Sequence, residues 1–268
     1  MDRLTDLLRL FQPHVVTATL LDKKGLNQTI EGQSYLYWLY QGQAQLVHQS
    51  HQYDIEAPVL LWLPEQGQHR WHSIDPNIRC IACKLDFGRA QLNPLLDALP
   101  PMLSLPPAEQ VEIQALQQLI ESELTQPRCG HQQVIHRLCE VLFIHILRYL
   151  LANQVIETGI LAALADSKLA KALIAIHQQP GHPWHLLELS KLAGMSRSAF
   201  VQQFKAKVGM PPGDYLIRWR MRLAQLRLQS EAPAIAILAE ELGYQSEAAF
   251  RRAFKRVLGV PPGQLSAP

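Results

Sequence analysis

The sequence has little of what would place it across a membrane. Although 48% of its 268 residues are hydrophobic, no stretch approaches the roughly 18 or more uninterrupted apolar residues of a membrane span. Residues 1–11 (MDRLTDLLRLF) carry two aspartates and no long apolar core. They read as a short amphipathic helix and not as a secretory signal peptide. Cysteine is scarce: Cys80, Cys83, Cys129 and Cys139 are all there are. A chain expected in the cytoplasm with four thiols has no disulfide framework. Strong net charge is also missing, with 25 Lys+Arg against 23 Asp+Glu.

That near-balance hides an asymmetry. Residues 168–268 hold 14 Lys+Arg against 6 Asp+Glu, and residues 1–166 hold 11 against 17. A basic end joined to an acidic one suggests a polyanion-binding module attached to something with another task. The basic end also repeats itself. At an offset of 50, Ser196, Ala199, Phe200, Phe204, Lys205, Gly209, Pro211, Pro212 and Gly213 fall on Ser246, Ala249, Phe250, Phe254, Lys255, Gly259, Pro261, Pro262 and Gly263. Each copy reads as a short apolar helix, a glycine turn, a serine N-cap and a second helix with a phenylalanine pair one turn apart. A glycine suited to a left-handed cap follows, then a proline pair that forbids continuation. That order is the outline of a helix-turn-helix, which places its second helix in the DNA major groove.

The segment Leu238–Gly263 (LAEELGYQSEAAFRRAFKRVLGVPPG) resembles the DNA-binding domain of the AraC/XylS family of bacterial transcription regulators. The resemblance implies seven helices, with two helix-turn-helix units (about 186–209 and 236–259) joined by one long helix at Gly213–Gln229. Seventeen residues span about 25 Å at ~1.5 Å each, against about 34 Å between successive major-groove faces. One chain would then read an asymmetric site on one side of the duplex. Matched residue by residue to the family, the base-reading positions are Arg197, Ser198, Val201 and Gln202 in the first unit. In the second they are Glu247, Ala248, Arg251 and Arg252. Gln suits adenine and Arg suits guanine, which puts Gln202 and Arg252 foremost. Ser196, Lys205, Ser246 and Lys255 are expected at phosphates, where contacts position without specifying.

From about Val15 to Phe87 the pattern is of strands: 35–40, 44–48, 59–63 and 80–85, punctuated by Gly32, Gly42, Pro58, the 64–67 turn and Asp75-Pro76-Asn77. Short strands at regular spacing suggest a small barrel or jelly roll. The stretch from Gly42 through Ala57–Arg70 resembles the cupin-type sensor domain that precedes many AraC-type readers. Cupins often bind metal, and His48, His51, His69 and His72 are candidate ligands by type. The His-x-His that a cupin site needs would fall near 31–35, where the sequence has no histidine. No metal and no cofactor are therefore expected, and a metal-dependent cupin enzyme is a distant third function. His48 and His51 flank a turn and are expected at the surface.

Cys80-Ile-Ala-Cys83 invites a redox or metal reading, yet it lies in a strand, where residues three apart face opposite ways. Buried strand cysteines are the simpler reading, and Cys83, with Cys80, is the site to test for redox sensing. Arg79 and Lys84 would lower a thiol pKa there, and burial would raise it. Cys129 and Cys139 read as small apolar residues of a helical region. After a proline-bearing connector at 94–107, Pro107–Thr125 and Gln132–Leu151 read as helices, the second apolar around much of its circumference.

The expected fold class is α+β and multidomain. It comprises a cupin-like β-barrel or jelly roll at 1–106, a helical layer at 107–158 that suits dimerisation, and an all-α double helix-turn-helix domain at 159–268. The function this implies is a sequence-specific, non-enzymatic transcription regulator with double-stranded promoter DNA and RNA polymerase as partners. Its sensor domain would take a small-molecule or oxidant inducer, and a homodimer is expected. The protein would lie in the bacterial cytoplasm, on the nucleoid when bound. The alternative keeps the reader but makes the barrel a structural, dimerising module without an inducer.

Overall fold

The computed structural model describes all residues except 1, 12–13, 32–33, 65–67, 74, 88–95, 97–98, 106–110, 231–232 and 265–268. The expected turns at Gly32 and 65–67, the start of the connector at Pro94 and the start of the helix at Pro107 lie outside the described residues. The chain forms two compact units, one of Phe11–Asn153 and one of Met1–Leu10 with Gln154–Pro268.

The first unit holds strands β1 (His14–Leu21), β2 (Thr29–Glu31), β3 (Ser34–Gln41), β4 (Gln43–His48), β5 (His51–Glu56), β6 (Val59–Leu63), β7 (Gln68–His72), β8 (Arg79–Asp86) and β9 (Leu103–Leu105). They pair antiparallel in two sheets, ordered β1-β8-β3-β6-β9 and β2-β7-β4-β5. The four strands expected from sequence form as β3, β4, β6 and β8. β9 arises within the expected connector and pairs with β6.

Burial explains why the two sheets look different in sequence. β4 buries Ala44, Leu46 and His48 and leaves Gln43 and Val47 outward, the alternation of a strand with one wet face. β3 buries both faces. Tyr37 and Leu39 join Leu46, Leu61 and Trp71 between the sheets, and Leu36 and Trp38 are buried as well. Its sequence is therefore a nearly continuous apolar run. Helix α2 (Lys23–Leu26) lies between β1 and β2, and helices α3 (Val111–Thr125) and α4 (His131–Ala152) follow the strands. The Phe143 ring of α4 meets Trp62 edge-on at 5.0 Å and Phe87 at 5.5 Å. The Tyr40 hydroxyl donates to Glu121 Oε1 at 2.9 Å. Burying a ring such as Phe143 contributes about 1.5–3 kcal/mol.

The second unit opens with α1 (Thr5–Phe11) and continues with α5 (Ile160–Ala165), α6 (Leu169–Gln178), α7 (Leu186–Leu192), α8 (Arg197–Val208), α9 (Pro212–Ser230), α10 (Ile235–Glu241) and α11 (Glu247–Leu258). A 3-10 turn at Pro262–Gln264 follows. From residue 154 onward, the described residues thus form seven α-helices, the number that the resemblance implied. Residues 2–10 pack here. Arg3 Nη1 donates to the carbonyls of Leu164 and Ala165 at 3.0 and 3.1 Å, at the end of α5. A cation suits the free carbonyls of a helix C-terminus. Among the described residues, no helix is long and apolar enough to cross a membrane.

Candidate nucleic-acid interface

Two helix pairs, α7–α8 and α10–α11, are built by the same local chemistry. Ser196 Oγ accepts the Ala199 N–H at 3.3 Å, and Ser246 Oγ accepts the Ala249 N–H at 3.2 Å, so each serine caps the helix it precedes. Gly209 (φ +85°) and Gly259 (φ +77°) take the left-handed conformation that ends each helix. Their N–H groups donate to the Lys205 and Lys255 carbonyls at 2.9 Å. Between cap and terminus, Phe200 and Phe204 lie 5.5 Å apart, and Phe250 and Phe254 lie 5.6 Å apart, all fully buried.

With the phenylalanines inward, the opposite faces are free. Arg197, Ser198, Gln202 and Lys205 are exposed and Val201 is half-buried on α8; Ala248, Arg251, Arg252 and Lys255 are exposed and Glu247 is half-buried on α11. Ser196 and Ser246, both exposed, sit at the helix starts. The two arginines of the second reader stand in different settings. Arg251 Nε donates to Glu247 Oε1 at 2.6 Å, one helical turn back. Arg252 and Arg256 line a groove of about 690 Å³ with Ile217, Arg220 and Tyr244.

Not all of the basic charge read from the sequence faces outward. Arg220 and Arg222 of α9 are only 8% and 7% exposed, and Arg227 pairs with Glu241. Arg220 donates to the carbonyls of Pro180 at 2.7 Å and His182 at 2.9 Å. A count of basic residues cannot separate such internal arginines from those on the surface.

In the sheet unit, Cys80 and Cys83 face opposite sides of β8, as strand geometry requires. Cys80 lies in the core between the sheets. Cys83 meets Cys139 of α4, with Sγ atoms 3.1 Å apart. That thiol–thiol contact and then burial raise the Cys83 pKa. Burial raises that of Cys80. Cys139 is thus buried as expected, whereas Cys129 is exposed, in the turn ahead of α4. His48 is not at the surface. It is 1% exposed because it continues the inward parity of Ala44 and Leu46, and the turn at Gln49 and Ser50 (φ +47° and +66°) leaves only His51 outside. His69, 2% exposed, is bonded through Nε2 to the Tyr37 hydroxyl at 2.8 Å. Burial, with a smaller effect of His48, pushes its pKa down to about 4. Among the described residues no three His, Cys, Asp or Glu side chains converge on a metal-sized site.

A two-sheet β unit and a paired helix-turn-helix unit in one chain define the class, and comparison with known proteins defines the family. The chain belongs to the cupin family, whose model matches residues 2–152, and carries an AraC-type helix-turn-helix domain, matched over residues 189–267. It is similar to an uncharacterised HTH-type transcriptional regulator of Haemophilus influenzae, 42% identical over 50% of this chain and 45% of the relative. It is also similar to an AraC-like transcription regulator of Streptomyces antibioticus, 40% identical over 57% of this chain and 52% of the relative. The chain thus spans about half the length of these relatives. A crystal structure of ToxT from Vibrio cholerae with bound unsaturated fatty acid covers 94% of both chains, at 14% identity and a TM-score of 0.42.

Proposed function

We propose that this chain is a bacterial transcription regulator, not an enzyme, that reads an asymmetric site in double-stranded promoter DNA. The observation that carries this reading is a pair of equal scaffolds with unequal faces. Cap, phenylalanine pair and terminal glycine recur in both units. The exposed positions differ, Val201 and Gln202 against Arg251 and Arg252. Arg197, Ser198, Val201 and Gln202 read bases in one half-site, and Glu247, Ala248, Arg251 and Arg252 in the other. Ser196, Lys205, Ser246 and Lys255 hold phosphates. The regulator acts in the cytoplasm on nucleoid DNA and works with RNA polymerase at the promoter. A second copy of the chain docks along α4, where Val134 and Val141 are 42% and 41% exposed.

Selection of bound sequences tests the reading positions. Gln202→Ala and Arg252→Ala should each cost about 1–3 kcal/mol on the preferred site and relax preference at one base pair, in different half-sites. A uniform loss on every sequence would mean that both side chains touch only phosphate.

The sheet unit receives the signal. His48 supports a small-molecule inducer: it is buried, and neither ring nitrogen has a hydrogen-bond partner among the described residues. A ligand with one donor and one acceptor would complete it. The thiols support an oxidant signal through Cys83, whose Sγ lies 3.1 Å from that of Cys139. Cys83 is matched to Cys139 across the β8–α4 contact, and Cys80 lies on the other side of the sheet. A two-electron oxidant such as hydrogen peroxide would take two electrons and two protons from the pair. The peroxide is reduced to water, and an S–S bond forms between β8 and α4. After peroxide treatment, mass spectrometry should find the 83–139 linked peptide, and promoter binding should shift in the wild type but not in Cys83→Ala. Equal behaviour of the two proteins would remove the thiol signal.

A further inference from the structure

The second helix-turn-helix is tied to the first by more than the connecting helix. Its turn, between α10 and α11, contains Gly243 at φ +77°. A Cβ added there would lie 2.3 Å from the Gly181 carbonyl oxygen. Conversely, a Cβ on Gly181 would lie 2.2 Å from the Glu241 carbonyl oxygen. The backbones of residues 181 and 241–243 therefore touch at a distance that only two glycines permit. Gly194, which forms the corresponding turn of the first unit, faces open space. Only one of the two turns is docked.

Residue 181 belongs to the entry of the first reader. The loop of Pro180, Gly181 and His182 lies immediately ahead of α7. His182 Nε2 is bonded to both carboxylate oxygens of Glu188 on α7, at 3.1 Å. The Trp184 indole N–H donates to the Gln179 carbonyl at 2.9 Å and closes the loop. Arg220, midway along α9, fastens this loop from the other side through the Pro180 and His182 carbonyls. Its guanidinium also stands 5.7 Å from the centre of the Tyr244 ring, next to Gly243. One side chain thus holds the entry of the first unit and the turn of the second together.

We infer that Gly181 and Arg220 are positioning residues that fix the distance and angle between the two readers, and so set which half-site spacing the protein accepts. This inference rests on the double-reader function proposed above. α9, 19 residues long and buried along much of its length, is one link between the readers, and the loop–turn contact is a second. Adding or removing one base pair changes the spacing by about 3.4 Å and rotates one groove by about a tenth of a turn. The loop–turn contact is the element that resists so small an adjustment. Gly181 lies outside both recognition helices, and Arg220, though it reaches the groove beside Arg252, is only 8% exposed and spends its donors on the Pro180 and His182 carbonyls, so their loss leaves each reader's base preference intact.

The test uses the full chain and duplex DNA carrying its preferred two-part site. The spacing is kept, shortened or lengthened by one base pair, and in further duplexes one half-site is scrambled. Gly181→Ala is the first variant, because residue 181 is outside the left-handed region and the methyl disturbs only the contact. Arg220→Lys is the second: it keeps the charge and gives up the paired donors. The wild type should prefer its native spacing by about tenfold or more. Both variants should bind single half-sites as the wild type does, and their preference for the native spacing should fall towards one. If the wild type is spacing-selective and both variants are equally so, the positioning role is wrong and the double reader stands. If the wild type shows no two-part preference at all, the double reader itself is wrong, and the positioning role with it.

Discussion

Inserting about five base pairs between the two half-sites is expected to lower specific affinity by roughly 10²-fold or more. Half a turn of DNA carries the second major groove to the far side of the duplex. The protein has no means to follow it. Its readers are joined by α9, about 28 Å long at ~1.5 Å per residue for 19 residues. That helix is sunk into the unit through Tyr215, Trp219, Met221, Ala224 and Leu228, all 3% exposed or less. The insertion therefore leaves one reader engaged at a time, with the affinity of a single half-site. Titration of the full chain against native and lengthened sites measures the difference. Affinity retained after the insertion would mean that the two units never bind together.

Phe254→Ala should destabilise the helical unit by about 3–5 kcal/mol, the usual cost of removing a fully enclosed ring. Phe254 is 0% exposed and packs on Phe250, which in turn meets Tyr244 edge-on at 5.5 Å. The ring holds α11 against the rest of the unit, so its loss should also abolish recognition of the second half-site. Phe204→Ala should do the same for the first half-site, since Phe204 occupies the matching place and packs on Phe200 and Tyr215. Denaturant unfolding of the full chain, read beside binding to each half-site, checks both effects. A change below about 1 kcal/mol would show that the stripe is not core.

The readers were legible in sequence because everything that shapes them is local. A serine cap, two rings one turn apart and a glycine before a proline pair fix each recognition helix within about a dozen residues. The duplication supplied a second copy against which to check the first. The strands were legible where they were long. β9 was not, since Leu103-Ser104-Leu105 is too short to show a period. His48 is a different failure. Its parity with Ala44 and Leu46 already pointed it inward, but the turn beside it suggested exposure, and strand alternation prevailed. What could not be read locally are the meetings of distant segments. The partner of Cys83 lies 56 residues on. The first turn of the chain binds carbonyls more than 160 residues away. Arg220, which reads as one more basic residue on a helix, is an internal tie across 40 positions.

One chain is expected to read two different adjacent grooves through two unequal faces. Selection of bound duplexes from random DNA by the full protein tests it most directly. A two-part, non-palindromic site is expected, its halves about one helical turn apart, with guanine prominent in the half contacted by Arg252 and adenine in the half contacted by Gln202. A single short block, or no enrichment over bulk DNA, would contradict it.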